Sequence, residues 1–121
     1  MARLSELKKD FLRLIERGRL SHAYLFFGEQ DDAMREGALS LASFLERKEW
    51  TSSPEMLTDA IVADGRESGI DEVRSWIRQL AEMPLRASRR TLLLARADRL
   101  TLPAAHALLK LVEEPPESAL I

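Results

Sequence analysis

The chain has 121 residues, 45% of them hydrophobic and 31% charged, and its 18 Lys+Arg against 20 Asp+Glu give a net charge of −2. This apolar content excludes a disordered chain, and the absence of cysteine excludes a disulfide scaffold and agrees with a cytoplasmic location. No apolar run reaches the ~20 residues of a membrane span, and the near-neutral charge argues against binding nucleic acid by bulk charge alone.

Apolar residues at helical spacing predict four helices. They cover residues 4–17, residues 33–47, a stretch from Ile70 whose end is marked by Pro84, and a stretch from Leu102 to Val112. Gly18 is a plausible stop for the first helix, and Thr101 is a good N-cap for the last.

Short apolar runs between these helices predict strands. The runs are residues 23–27, 59–63 and 91–95, with a further run beginning at Ala119. Because strands alternate with helices, the expected fold class is α/β, with a parallel sheet covered on both faces. The last run has no helix after it, so the chain is interpreted as the front part of a longer protein.

A strand that ends at Gly28, followed by a short polar turn and a helix, has the geometry of a phosphate-binding loop. The working pattern then needs a second glycine, a lysine and a hydroxyl, and the sequence instead has Ala33, Met34 and Arg35. The acidic residues within 29–32 would also repel phosphate.

The second half of such a site is a buried strand that ends in carboxylates for the metal. After the strand at 91–95, Ala95 and Arg96 occupy those positions. On these residues alone, the simpler interpretation is that this fold never held a nucleotide.

Four segments resemble the bacterial clamp-loader ATPases, in the order of that family. They are Ser21–Gly28, Ser53–Glu55, Ile70–Arg74 and Thr101–Glu117. The last segment is the most specific, since it carries Ala-Leu-Leu-Lys followed by Glu-Glu-Pro-Pro. Active gamma and tau members keep both nucleotide motifs, whereas delta-prime members are often degenerate in them. The five replaced positions therefore indicate a resemblance to the delta-prime type within DNA polymerase III.

This resemblance implies a P-loop NTPase-like (AAA+) three-layer sandwich, truncated so that residues 1–121 form its N-terminal part. The lid, the collar and a Ser-Arg-Cys motif would then lie beyond Ile121. It also implies a subunit with no catalytic residues, which helps load the sliding clamp onto primer-template DNA with subunits of gamma/tau and delta type. ATP is not expected as a cofactor because both nucleotide motifs are replaced, and zinc is not expected because the family's four-cysteine zinc module is missing.

Two alternatives stay open at this point. One is a divergent but active ATPase of gamma/tau type that binds nucleotide through other residues, for example Arg35. The other is a protein-interaction domain on the same fold with no role in replication.

An arginine-rich stretch is the main candidate surface for binding. Arg86, Arg89, Arg90 and Arg99 are possible contacts to DNA or to another subunit, and the alternative is a solvated basic surface. His22 and His106 have no ligating neighbours in sequence, so local hydrogen bonds are expected and no metal site is predicted.

Two further pairs of residues, one acidic and one aromatic, could have functional roles. Glu113 and Glu114 are adjacent on a helix and so cannot converge as a catalytic carboxylate pair. Trp50, in a polar loop, is the better candidate for an interface anchor, and Trp76 is expected in the core.

Overall fold

The computed structural model describes residues 4–24, 31–52 and 57–121. The elements in these ranges are α1 (Leu4–Glu16), α2 (Asp31–Arg47), β1 (Ala60–Asp64), α3 (Ile70–Leu80), β2 (Arg90–Ala95), α4 (Leu102–Glu113) and β3 (Ala119–Leu120). One turn of 3-10 helix follows β1 at Gly65–Glu67, and another follows β2 at Ala97–Arg99. Most of the strand predicted at 23–27, the loop at Gly28 and part of the loop before β1 lie outside the described residues.

The described strands form a parallel sheet in the order β1-β2-β3. Beside β3, the Ile121 N–H donates to the carbonyl of His22 at 2.8 Å, and the Tyr24 N–H donates to the carbonyl of Ile121 at 2.8 Å. This alternation is that of a parallel ladder. The segment that leads into the first predicted strand therefore lies next to β3.

One face of the sheet is covered by α3 and α4. Val73 and Leu80 of α3 are fully buried, and they pack with Leu92 of β2 and Leu111 of α4 in one apolar cluster. Because side chains alternate along a strand, Leu92 and Leu94 both point to this layer.

The opposite face is covered by α1 and α2. Phe11 packs with Leu41 and Leu45 around Leu120 of β3. The ring of Phe11 also meets Tyr24 edge to face, with centroids 5.0 Å apart. Helices on both sides of a parallel sheet make the three-layer α/β architecture predicted from the sequence, and this prediction is confirmed.

Two predicted helix ends are also confirmed. Gly18 has a φ of +65°, and the Arg19 N–H donates to the carbonyl of Leu14 at 2.8 Å, which closes α1 in the conformation that glycine favours. At the start of α4, the Thr101 hydroxyl accepts a hydrogen bond from the Ala104 N–H at 3.4 Å.

Most predicted boundaries differ from the structure by one or a few residues. Helix α2 begins at Asp31 rather than at residue 33, and α3 ends at Leu80, well before Pro84. Strand β1 begins one residue later than predicted, because the Asp59 N–H is bonded to the carboxylate of Glu46 at 2.6 Å. Apolar spacing locates an element, but local hydrogen bonds decide where it begins and ends.

None of the helices in the described ranges is long and apolar enough to cross a membrane.

Candidate functional site

The carboxyl ends of β1 and β2 meet at one edge of the sheet, where Asp64 is the register partner of Ala95. A broad open cleft lies over this edge, and Met34 and Arg35 from the start of α2 line it together with Arg96. Parallel α/β sheets bind ligands outside the carboxyl ends of their strands, so a functional site is expected at this edge.

An ion pair joins the two strand ends. The Arg96 Nη2 lies 2.5 Å from Oδ2 of Asp64, and the Arg96 Nε lies 3.0 Å from the same oxygen and 3.2 Å from Oδ1. The side chains are 40% and 20% exposed for Arg96 and Asp64 respectively, so water screens the pair only in part. Charge-assisted bonds from a planar guanidinium fix direction as well as distance.

The backbone of Arg96 is left-handed, with φ 52° and ψ 50°. A residue with a Cβ adopts this conformation at a cost of roughly 1–2 kcal/mol, so the surrounding contacts must offset it. The ion pair of the Arg96 side chain with Asp64 is one such contact.

Gly65 brings the two turns together backbone to backbone. A Cβ built on Gly65 would collide with the carbonyl oxygen of Arg96 and would lie 3.4 Å from the Leu100 nitrogen. No side chain can replace the hydrogen of glycine here without moving the backbone.

The environment of Asp64 favours its charged form. The hydrogen bond from Arg96, followed by that from the Arg66 N–H, outweighs desolvation and lowers the pKa of Asp64 to about 2. This carboxylate therefore stays ionised, and paired, at any pH near neutrality.

The structure brings most of the residues at the predicted nucleotide positions to the same cleft. Met34, Arg35, Ala95 and Arg96 all line it, and Arg35 is exposed. Ala33 is half-buried in the first turns of α2 and is not among the lining residues. Gly28 lies outside the described residues.

The predicted arginine contacts do not form one surface. Arg86, Arg89 and Arg90 lie at the amino end of β2, while Arg99 follows its carboxyl end, roughly 20 Å away along a six-residue strand. Two of them make internal contacts. The guanidinium of Arg89 donates to the carbonyls of Leu20 and Ser21, both at 2.7 Å, and Arg90 donates to the Met83 carbonyl. Arg86 and Arg99 are exposed.

Packing and hydrogen bonds within the chain account for His22, Trp76 and Trp50. Trp76 is 6% exposed in the core, as expected. Nε2 of His22 lies 3.2 Å from the carbonyl oxygen of Glu117, so His22 makes a hydrogen bond as expected, but its partner is remote in sequence and not local. Trp50 is half-buried, with its ring 6.4 Å from that of Phe44, so packing within the chain explains it. No group of three or more His, Cys, Asp or Glu within the described ranges could hold a metal ion.

A second polar centre, at the amino edge of the sheet, was missed from the sequence. Asp59 is 3% exposed, and its carboxylate accepts the backbone N–H groups of Leu85, Arg86 and Ala87 at 2.6–2.7 Å. Burial alone would raise the pKa of Asp59, but these three bonds and the charge of Arg90 outweigh burial and lower it.

The pairing of Asp64 with Arg96 was also missed. Arg96 was interpreted only as a lost acidic position, and no partner was predicted for it. The available signal was their placement, since each follows a predicted strand and neighbouring parallel strands end at the same edge.

Comparison with known proteins assigns the family. The family model for "DNA polymerase III, delta subunit" matches residues 4–121. The chain belongs to this family. Among curated relatives of the DNA polymerase III family, it is 28% identical to the DNA polymerase III subunit delta' of Bacillus subtilis (strain 168). The match covers 93% of this chain and 40% of that protein.

The fold agrees with this assignment. The structure is similar to the crystal structure of a DNA polymerase III gamma subunit-related protein from Thermotoga maritima MSB8, with a TM-score of 0.74 and 32% identity. That match covers 95% of this chain and 37% of the other chain. The AAA+ clamp-loader fold expected from the motifs is thereby confirmed, and the chain spans well under half the length of either relative.

Proposed function

We propose that this chain acts as a clamp-loader subunit of the DNA polymerase III holoenzyme that has no ATPase activity of its own. The observation that carries the proposal is the Asp64–Arg96 ion pair, which occupies the carboxyl edge of the sheet. Membership of the DNA polymerase III family supports the replication role.

The residues at this edge do not fit the magnesium nucleotide that the fold family implies. A thioether at Met34 cannot neutralise phosphate as lysine does, and the methyl group of Ala95 cannot hold a metal. The guanidinium of Arg96 would repel a divalent cation, and it already neutralises Asp64. These residues support a subunit without a working nucleotide site. Neither ATP nor zinc is proposed as its cofactor.

In this role the chain would be a fixed surface within a ring of subunits. A protein changes conformation with a ligand only if the ligand binds its two states unequally, so a subunit that binds no nucleotide does not switch with ATP. The proposed partners are subunits of gamma/tau and delta type, with the sliding clamp and primer-template DNA reached through the complex. Arg86 and Arg99 are the two predicted contact residues that remain exposed for such partners.

The test is equilibrium binding of labelled ATP, with magnesium, to the 121-residue chain. We expect no saturation at micromolar concentrations, because neither a lysine nor a metal-holding carboxylate occupies the motif positions. Circular dichroism of the same sample checks that the chain is folded. A Kd in the micromolar range would contradict the proposal.

The alternative is a divergent ATPase that binds nucleotide through Arg35, which is exposed in the cleft. The variant Arg35→Ala tests this alternative. If ATP binds and Arg35→Ala abolishes the binding, the chain holds nucleotide through Arg35 and the divergent ATPase is the better function.

A further inference from the structure

We propose that Arg96 is a positioning residue that holds the two turns after β1 and β2 in one arrangement without any bound nucleotide or metal. The inference rests on the proposed absence of ATPase activity, and it states how the edge of the sheet keeps its shape when no ligand is there to order it.

The first support is that each partner of the ion pair also organises its own turn. Asp64 accepts the Arg66 N–H on Oδ1 at 3.0 Å, and its carbonyl accepts the Ser68 hydroxyl at 2.8 Å. On the other turn, the Arg96 carbonyl accepts the Arg99 N–H at 2.9 Å. Asp64 and Arg96 therefore each stabilise their own turn, and the ion pair between them links the two turns.

The second support is the close backbone approach at Gly65. Because Gly65 has no side chain, its turn can lie directly against the Arg96 carbonyl, so the two turns that the ion pair links are also in close backbone contact. A left-handed Arg96 fits this arrangement, since its φ of 52° presents the carbonyl to Gly65 and the guanidinium to Asp64 from one residue.

The third support is electrostatic. Two carboxylates at such an edge would need a cation before they could lie close together. Here the positive charge is that of the Arg96 side chain, which reaches Asp64 at the end of the neighbouring strand. The charge of Asp64 is balanced within the fold, so the edge has no need of magnesium to hold its two turns together.

The experiment is amide hydrogen exchange on the 121-residue chain and on Arg96→Asn, because asparagine tolerates the left-handed backbone while losing the charge. We expect the amides of Arg66, Arg99 and Leu100 to exchange about three- to fivefold faster in the variant, the scale of a half-exposed ion pair. Asp64→Asn keeps an acceptor for the Arg66 N–H, and should produce the same increase on the opposite turn, at Arg99 and Leu100. Adding magnesium and ATP to the unmodified chain should leave these rates unchanged.

Arg99→Ala is the matched control, since Arg99 lies on the same turn, is exposed and is 3.9 Å from its neighbour Asp98. Its exchange at Arg66 and Leu100 should equal that of the unmodified chain once the Leu100 rate is corrected for the change of side chain at position 99. Unchanged rates in Arg96→Asn, or turns that become ordered only when magnesium and ATP are added, would overturn the inference. Nucleotide binding that leaves the rates of these turns unchanged would remove the proposed function but support this inference.

Discussion

Arg96 shows how a single residue can be recognised in a sequence and still be misjudged. Its position after a buried strand marked it as the replacement for an acidic group, which is a statement about what the site lacks. Its partner could not be named, because Asp64 is 32 residues away and only the register of β1 against β2 brings the two side chains together. The ion pair can therefore form only in this register of the two strands.

Gly65 gives a prediction at the same scale. We expect Gly65→Ala to lower the free energy of unfolding by about 2–3 kcal/mol or more, because its Cβ meets backbone atoms of Arg96 that cannot rotate away. Urea denaturation followed by circular dichroism measures the change.

Gly69→Ala is the control for that substitution, since the nearest atom to its Cβ would be Oε2 of Glu72 at 3.7 Å, an ordinary contact. It should cost less than about 1 kcal/mol, the range for a lost N-cap glycine. Equal losses in the two variants would show that steric conflict with Arg96 is not the cause.

Among the elements, the loop between α3 and β2 is where sequence patterns were least informative. The helix and the strand on either side were predicted from apolar spacing, because burial of one face makes apolar residues recur with the period of the element. The loop conformation depends on Asp59, whose N–H partners lie 26 to 28 residues further along the chain. The carboxylate of Glu46 in α2 accepts the backbone N–H groups of Thr58 and Asp59 and so fixes the position of Asp59. The conformation of the loop therefore depends on residues that are remote from it in sequence.

Asp59→Asn tests this arrangement. An amide has one acceptor oxygen and would place its NH₂ group against a backbone N–H, so at least one of the three bonds is lost. We expect a loss of about 2 kcal/mol in the free energy of unfolding and faster hydrogen exchange at Leu85, Arg86 and Ala87.

The matched control for Asp59 is Asp71→Asn, because the Asp71 side chain is 90% exposed and its ion pair with Arg74 spans 4.0 Å. This variant should change stability by less than about 0.5 kcal/mol. If Asp59→Asn is equally mild, the carboxylate does not order the loop.

For the whole molecule, the α/β class, the parallel sheet and the two covered faces were predictable because strands and helices alternate along the chain. The family followed from motifs that occur in the expected order. Closeness in sequence suggests a single arginine surface, but the strand predicted at 91–95 lies between Arg90 and Arg99 and already separates them, as β2 does in the structure. The truncated N-terminal domain and the contacts of Arg86 and Arg99 remain predictions.

The two lowered aspartate pKa values predict how the stability of the whole fold depends on pH. Both carboxylates bind protons less readily in the folded chain than in the unfolded chain, so their contribution is complete above the ordinary aspartate pKa. It is lost as the pH falls from about 4 toward 2, where Asp64 itself titrates. Urea midpoints measured across this range should fall with pH. The double variant Asp59→Asn/Asp64→Asn should show a shallower fall, and parallel curves would contradict the assignment.

The bonds beside β3 also bear on how the chain folds during synthesis. His22 binds the carbonyl of Glu117, 95 residues later, and Leu120 completes the apolar cluster that Phe11 and Leu41 begin. At typical ribosomal rates, about 5 to 20 seconds separate the synthesis of these residues. Once α2 has been made, α1 and α2 can meet, but the apolar cluster between them still lacks Leu120. The N-terminal layer is thus the first part made and among the last completed, and its apolar surface is open to other proteins meanwhile.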